Sequence, residues 1–494
     1  MATQTPLSSS LKTNLQLLRD CFTISADLVI REIEVASYSA AVISIEGMVD
    51  RHAMGNTLIL PLLRLEGSFA TAPKLMTYIQ ERVLGMVDML KAETLEQLND
   101  LIVSGFAAVL IDGVDYAALG GMQSFMIRSI SEPSTEVSVR GSREGFTEAL
   151  RINMSMIRRR LKTPQLTFEM MTVGTESHTA VCLCYLRNRV SSSLLKEIRK
   201  RIRECPLEMV LESGYLQPFL EGKHHSVFSG VDTTERPDTL CGKMGEGRIG
   251  VLVDGTPFAL VIPYLFMEHF QSMDDYAQHP LYASFIRIVK YIAFFVSLFL
   301  PGLYVAIGTH HVEMLPSVLL LSFINSDRST PFPLTLEALV IHFVFEVMRE
   351  AGLRFPKSVG HAVSIVGALV IGESAVRAGL VSAPMIIVVA LTSISAFVLP
   401  SLYGTIATLR FVFIVLGGTL GIYGVLLGGL LLLCSMCSVN VHSIPYTAPL
   451  TPFSFRAMRD VFIRADWRIL SKRRFAVQNV VGSRITTGEE EETQ

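Results

Sequence analysis

The chain has 494 residues, and its 43 basic and 45 acidic side chains leave a formal net charge of −2, while the mean hydropathy is +0.43. That is too long for one domain and too apolar for a wholly soluble protein. Near-neutral charge, with no basic patch interleaved with aromatics, argues against nucleic acid as a partner.

Charged side chains concentrate in residues 1–284 and long apolar runs in 285–438. The expected fold class is therefore a two-lobed α/β N-terminal soluble region followed by an α-helical polytopic membrane domain. The opening MATQTPLSSSLKTNLQLLRD has no apolar core behind a basic start. It does not read as a secretory signal, so the first domain is expected to stay cytoplasmic. Seven cysteines, an odd count without framework spacing, fit that compartment.

In chain order, residues 10–22 read as a helix, and DLVIREIEV (27–35) and SYSAAVISIEG (37–47) as strands. A helical segment follows near Met48. LEQLNDLIVSG (95–105) is helical, FAAVLIDG (106–113) an apolar strand, and YAALGGMQSFMIR (116–128) hairpin material around Gly120 and Gly121. These elements make a first α/β subdomain, 1–130.

The second subdomain, 131–284, opens on the linker SEPSTEVSVRGSREG (131–145). A helix with Arg151, Arg158, Arg159 and Arg160 follows, read as a solvated basic face in preference to an anion site. FEMMTVG (168–174) and HTAVCLCYL (178–186) are strands, with Cys182 and Cys184 pointing the same way, and LLKEIRKRIREC (194–205) is a helix. Gly245-x-Gly247-x-x-Gly250 has the spacing of a dinucleotide fingerprint, but its strand follows the glycines, so it reads as a turn feeding a strand. The pairs His224-His225 and His310-His311 lack acidic or thiol neighbours, and Cys434-x-x-Cys437 is half a zinc site at the end of an apolar helix. No metal, cofactor or enzymatic activity is expected. Glu235, Arg236, Asp238, Glu246, Arg248 and Asp254 crowd into one short span with both signs present. They are candidates for a subunit interface, with a local salt-bridge network as the alternative.

The transmembrane domain, 285–438, is expected to hold four spans: 285–307, 359–379, 383–403 and the Gly-rich run 411–437. Arg287 and Lys290 anchor the first on the cytoplasmic side. Residues 439–494 form a cytoplasmic basic tail with Arg456, Arg459, Arg464, Arg468, Lys472, Arg473 and Arg474. An even number of crossings then requires 311–350 to be re-entrant or interfacial. Six crossings are the alternative, and Arg354 and Arg410 fall on the wrong side of the four-span scheme. No internal repeat is read.

Within this half, residues 331–384 carry the most chemistry. A helix from Pro333 to Glu350 places His342, Glu346 and Glu350 on one face, which needs a polar groove, a partner or water. A second helix, Val359 to Gly379, aligns Gly360, Ser364, Gly367, Ile371, Ser374 and Ala378 as a small-residue seam for close packing, or for packing beside an ion path. Glu373 and Arg377 are spaced for an ion pair. Glu373 from several subunits would make an acidic ring favouring cations, with Val363, Val366 and Val370 as the dry constriction of a gate. The alternative is that Glu373 and Arg377 simply neutralise one another.

The stretches IEGMVD (45–50), residues 131–166, TERPD (234–238), EGRIGVLVDGTPF (246–258), DDYAQHP (274–280), PFP (331–333), REAGLRFP (349–356) and IVGALVIGESAV (365–376) together resemble the A subunits of bacterial spore germinant receptors, the GerA family, which includes the related stage V sporulation protein AF. Gly245, the FSG at 228–230 and Glu373, which stands where Gln is usual, depart from its pattern. The resemblance implies residence in the inner spore membrane and assembly with a B-type transporter-like subunit and a C-type lipoprotein. It further implies a homo-oligomer acting as a nutrient-gated cation channel, without catalysis. A secondary transporter, a docking scaffold and an accessory ion channel like the stage V sporulation protein AF are the competing readings. The first would show repeated halves with broken helices.

Overall fold

The computed structural model describes residues 5–84, 88–124, 133, 136, 138, 140–221, 226–317, 320, 330–354, 372–455, 457–471 and 476–483. The first lobe opens on α1 (Leu11–Phe22), whose Leu11, Leu15, Leu18 and Phe22 fall on one face and are buried. Strands β1 (Leu28–Val35), β2 (Tyr38–Ile45), β3 (Met89–Ala92), β4 (Phe106–Ile111) and β5 (Ala117–Gly121), with α2 (Leu95–Ile102) between β3 and β4, complete it. The antiparallel sheet has the order β1-β2-β4-β5-β3. Alternation decides the layers: Ala41, Ile43, Ala108 and Leu110 face α1 and α2, while Ala40, Val42, Ala107 and Val109 face helical turns containing Leu58 and Leu75.

The second lobe has α3 (Leu150–Arg160), β6 (Leu166–Val173), β7 (Thr179–Leu186), α4 (Ser192–Arg203), β8 (Asp232–Thr234), α5 (Pro237–Gly245), β9 (Ile249–Val253) and β10 (Ala259–Ile262). Its sheet order, β6-β7-β9-β10-β8, is that of the first lobe. The match extends to side chains. Asp112 Oδ1 accepts the backbone N–H that opens α1, and Asp254 Oδ1 does the same for α3. Asn14 bonds Ser8 through both ends of its amide, and Asn153 bonds Thr147 in the same way. GFAAVLIDG (105–113) therefore corresponds to GRIGVLVDG (247–255), each opening on a glycine in the left-handed region. The expectation of no internal repeat is corrected: the soluble half is a duplicated α/β unit whose shared residues are too sparse to announce it. The GxGxxG glycines link α5 to β9, as a turn feeding a strand.

The two lobes meet at a buried ion pair. Arg158 donates from Nε to Asp27 Oδ2 at 2.7 Å and from a terminal nitrogen to Oδ1 at 3.0 Å, both side chains being essentially inaccessible. Arg151 reaches Glu46 of the first lobe, and Arg159 and Arg160 share Glu144. Of the expected solvated basic face, Arg151 and Arg158 thus clamp the lobes together because their counter-charges lie far back in the sequence, while Arg159 and Arg160 pair with the nearby Glu144.

The helical region contains α6 (Pro280–His310), α7 (Leu334–Arg354), α8 (Ala383–Phe397) and α9 (Tyr403–Ser438). Among the described residues, α6 and the stretch 400–438 are long and apolar enough to cross a membrane. α9 is not one rod. Gly421 adopts φ 64° and ψ −149°, and a Cβ on Gly428 would sit 2.6 Å from the Leu416 side chain and 3.0 Å from Phe413. In a straight helix residues 413 and 428 are about 22 Å apart. The helix therefore reverses at Gly421, where glycine alone takes the left-handed turn without strain.

Contacts give each helix its direction. The arm 403–420 runs parallel to α6: Arg410 meets Ser297, Gly417 packs on Gly302, and His310 bonds the Gly418 carbonyl at 2.9 Å. The arm 422–438 returns past Phe299 to the end where α6 begins. α7 runs opposite to α6, with Thr335 at Gly418 and Glu346 at Tyr403. α8 runs in the same sense as α7, from Met385 beside Val305 to Ala396 beside Leu402.

This arrangement differs from the four-span expectation in three places. The run 411–437 is most of a two-arm hairpin, 383–403 ends its helix at Phe397, and 333–350 extends to Arg354 through the full depth of the bundle. Hydropathy misses the reversal because the glycines at the turn are as apolar as the arms. Of the expected span 359–379, residues 359–371 lie outside the described residues.

Residues 439–455, 457–471 and 476–483 fold back on the second lobe rather than trailing from the last helix. Tyr446 accepts the Phe266 N–H through its carbonyl, and Ile444, Ala448, Val477 and Val480 pack on Leu265. Phe266, Phe270, Tyr291, Phe294 and Tyr446 form an aromatic collar where soluble and helical parts join.

Candidate functional site

An ionisable line runs through the helical bundle along α7. At its first turns, Glu337 is buried and its Oε1 accepts from the N–H and hydroxyl of Ser382 at 2.7 and 2.8 Å. His342 follows, fully buried, with neither ring nitrogen bonded among the described residues. One turn further, Glu346 accepts from Arg349 Nε at 2.9 Å and from the Tyr403 hydroxyl at 2.9 and 3.0 Å. Arg410, fully buried on the 403–420 arm, places Nη1 3.7 Å from Glu346 and donates from Nε to the Ser297 carbonyl at 3.2 Å. Its terminal nitrogens make no hydrogen bond among the described residues. Arg349 lies over the Tyr403 ring, 4.3 Å from its centroid.

The face carrying His342, Glu346 and Glu350 thus finds its polar partner on α9, and burial falls from His342 to the half-exposed Glu350. Ionisable groups in such surroundings are costly and mark function by default. The small-residue contact that lets α9 approach is Gly302 against Gly417, close enough that a Cβ on either would collide with the other's backbone or its neighbour's. The spacing of Gly417, Gly421, Gly424 and Gly428 is the same four-and-three signal seen in 359–379, and it was legible in the sequence.

A second buried network joins this bundle to the lobes. Arg287 donates to Asp275 at 2.8 Å and to the side chain and carbonyl of Asp460 at 2.7 and 2.6 Å. Lys290 reaches Asp275 at 3.3 Å, and the Tyr276 hydroxyl bonds Asp460 at 2.7 Å. The two basic side chains at the start of α6 are thus held by the carboxylates of Asp275 and Asp460.

The chain matches, over residues 16–475, the family described as Bacillus/Clostridium GerA spore germination protein. The chain belongs to the GerA family. Spore germination protein KA of Bacillus subtilis (strain 168) is 39% identical over 94% of this chain and 86% of its own length. The uncharacterized membrane protein YfkQ of the same organism is 36% identical, over 95% and 91%, and spore germination protein GerLA of Bacillus cereus is 31% identical, over 92% and 93%. The crystal structure of the N-terminal domain of the A subunit of the Bacillus megaterium spore germinant receptor GerK3 aligns with 53% of this chain and 98% of its own, at 30% identity and a TM-score of 0.42.

In this GerA chain the six charged residues of the second lobe are placed as follows. Arg236 is buried and holds Asp238 through two bonds of 3.1 and 2.6 Å, with a third to the Ser142 carbonyl at 3.1 Å. Arg248 is buried between Glu246 and Glu268 and donates to the Pro263 carbonyl at 3.2 Å. Glu235 is buried as well, and Asp254 caps α3. Burial pushes the Glu268 carboxyl up, but Arg248 and then Lys243 outweigh it and hold it down at about 2. Glu373 and Arg377 pair at 2.6 Å with both side chains largely exposed, and Ser374 and Ala378 are exposed beside them. Gly360, Val363, Ser364, Val366, Gly367, Val370 and Ile371 lie outside the described residues. Sequence reasoning missed Glu337 and Arg410 as site residues. Arg410 carried a signal, since a charge within an apolar run that violates the topology demands a buried partner.

Proposed function

We propose that this GerA chain is a non-enzymatic A-type membrane subunit of a spore germinant receptor, which oligomerises as a nutrient-gated cation channel and starts germination. It works with a B-type transporter-like subunit and a C-type lipoprotein. It sits in the inner spore membrane with its lobes and C-terminal segment on the cytoplasmic side. The observation that carries the reading is the line Glu337, His342, Arg410 and Glu346, ionisable side chains inside an otherwise apolar helical bundle. A docking scaffold has no use for that arrangement.

In this reading Glu373 of each copy contributes to an acidic ring at the path, which favours cations. Val363, Val366 and Val370 make its dry constriction. Exposure of Glu373, Ser374 and Ala378 in the single chain supports the assignment, because that surface is left for lipid or another copy. Arg377 then exchanges its pairing for headgroups or the N-terminal domain. The test is passive cation flux from proteoliposomes holding the assembled receptor. Nutrient should open the flux, and Glu373→Gln should lower its cation preference while assembly persists. Substrate-coupled uptake without passive flux would overturn the channel in favour of a transporter. Unchanged selectivity in Glu373→Gln would return Glu373 and Arg377 to a self-neutralising pair.

A further inference from the structure

The C-terminal segment leaves an unusual surface uncovered. Phe453, Phe455, Ile463, Trp467 and Ile469 expose 59, 81, 63, 54 and 48% of their area, and Arg459 and Arg468 are exposed among them. The segment is nevertheless firmly placed. The Arg464 N–H donates to Ser284 Oγ at 3.0 Å, Phe462 packs on Tyr291 with centroids 4.7 Å apart, and Asp460 holds Arg287. Trp467 donates its indole N–H to the Tyr276 carbonyl at 3.2 Å, so its polar end is satisfied inward and its apolar body faces out.

The helix to which it is tied sets its height. α6 has 31 residues, about 46 Å of helix, against a hydrocarbon core about 30 Å thick. That excess leaves room for the start of α6, with Ser284, Arg287 and Lys290, to lie in the headgroup layer. The segment meets α6 at Ser284, whose helix neighbours Leu281 and Phe285 are 77 and 60% exposed. Aromatic bodies with interspersed arginines at this level are the composition of a membrane interface.

We propose that the C-terminal segment around Trp467 is a membrane-interface element that seats its aromatic side chains at the boundary of the acyl chains and its arginines among anionic headgroups. The proposal rests on the reading that the helices cross a membrane. Its occupant is a lipid surface, chosen over a neighbouring subunit because the segment is tied to the start of α6 beside the exposed Leu281 and Phe285 and pairs apolar bodies with cations. By this seating the membrane surface holds Asp460, and through it Arg287 at the base of the first helix.

Trp467 is the sole tryptophan of the chain, so its fluorescence reports on this segment alone. The full chain is placed in phosphatidylcholine and phosphatidylglycerol vesicles, with bromine on the acyl chains near the headgroup, near the bilayer centre, or absent. Shallow bromine should lower the emission by about half, and deep bromine much less. Arg459→Gln with Arg468→Gln should reduce the shallow quenching in phosphatidylglycerol vesicles and remove its dependence on salt. Co-floating protein whose emission ignores bromine at both depths would overturn the proposal and assign the surface to a protein neighbour. Cation flux is read on the same vesicles. Quenching without flux upholds the interface element and sinks the channel, whereas flux without quenching does the reverse. A chain that fails to float with the vesicles overturns both.

Discussion

Arg410→Met separates a functional charge from a structural one. Its Nη1 lies 3.7 Å from Glu346 Oε1, which at an effective dielectric of 20 is an attraction of about 4 kcal/mol. Placing an arginine deep in a bilayer costs about 3 kcal/mol, so the two terms nearly cancel. Glu346 keeps Arg349 and the Tyr403 hydroxyl when Arg410 is removed. Arg410→Met should therefore change stability by no more than about 1 kcal/mol. Glu346→Gln is the opposite case. It strips Arg410 of its only ion-pair partner among the described residues, in a fully buried position, and should cost about 3–5 kcal/mol. The double variant should return to within about 1 kcal/mol of the parent.

Stability is read by denaturation of the full chain in detergent, and response by germination of spores carrying each variant. Arg410→Met should slow the nutrient response at least about tenfold, since a charge that contributes so little to stability is expected to act in the response. Equal destabilisation by Arg410→Met and Glu346→Gln would show that the pair is a structural tie. A normal response in a stable Arg410→Met chain would refute the functional reading of the ionisable line.

Two further outcomes follow from the lobes. Arg158→Leu and Asp27→Leu should each cost about 3–5 kcal/mol in urea unfolding, because each leaves a buried charge alone, while the double variant should recover most of the loss; additive losses would exclude coupling across the lobe boundary. Glu268, held at about 2 against an ordinary 4.5, binds fewer protons folded than unfolded, so it contributes stability above about pH 4.5 that is lost as pH falls toward 2, on the order of 3 kcal/mol in all. Acid melts of Glu268→Gln should be flatter than those of the parent through that window, and identical slopes would contradict the assignment.

Most of the longer strands and helices of the lobes were legible because their periods of two and near four match the layers they build, as in Ala41 and Ile43 against Ala40 and Val42, whereas the short strand Met89–Ala92 and the helix Pro237–Gly245 went unread. The partners of charged side chains were not legible. The face of α3 is plain from spacing, but nothing in the spacing says that Asp27 lies opposite Arg158. The same blindness hid Asp275 and Asp460, the partners of Arg287 and Lys290. The reversal at Gly421 escaped for a different reason, since hydropathy counts a glycine turn as part of the span, and only the recurrence of glycine from 417 to 428 marks it. Around Glu373 the sequence supplied the pairing with Arg377, while the role of that pair depends on copies that one chain does not contain.

The duplicated lobes also differ where the second one meets the segment leading to the helices. Phe106 begins β4 in the first copy, and the aligned position before β9 in the second is Arg248. An arginine at a buried sheet end is expensive unless fully partnered. Here its partners are Glu246 and Glu268, and Glu268 lies in the turn that leads toward α6. The substitution thus turns a core position into a joint. Asp27 with Arg158 joins lobe to lobe, Arg248 with Glu268 joins sheet to connecting segment, Arg287 with Asp460 joins first helix to C-terminal segment, and Glu346 with Arg410 joins helix to helix. Buried pairs add little net stability over apolar packing, but they tolerate few relative positions of the parts they connect. Four of them join successive parts of the chain, so that removing one charge of any pair should loosen the two parts it connects.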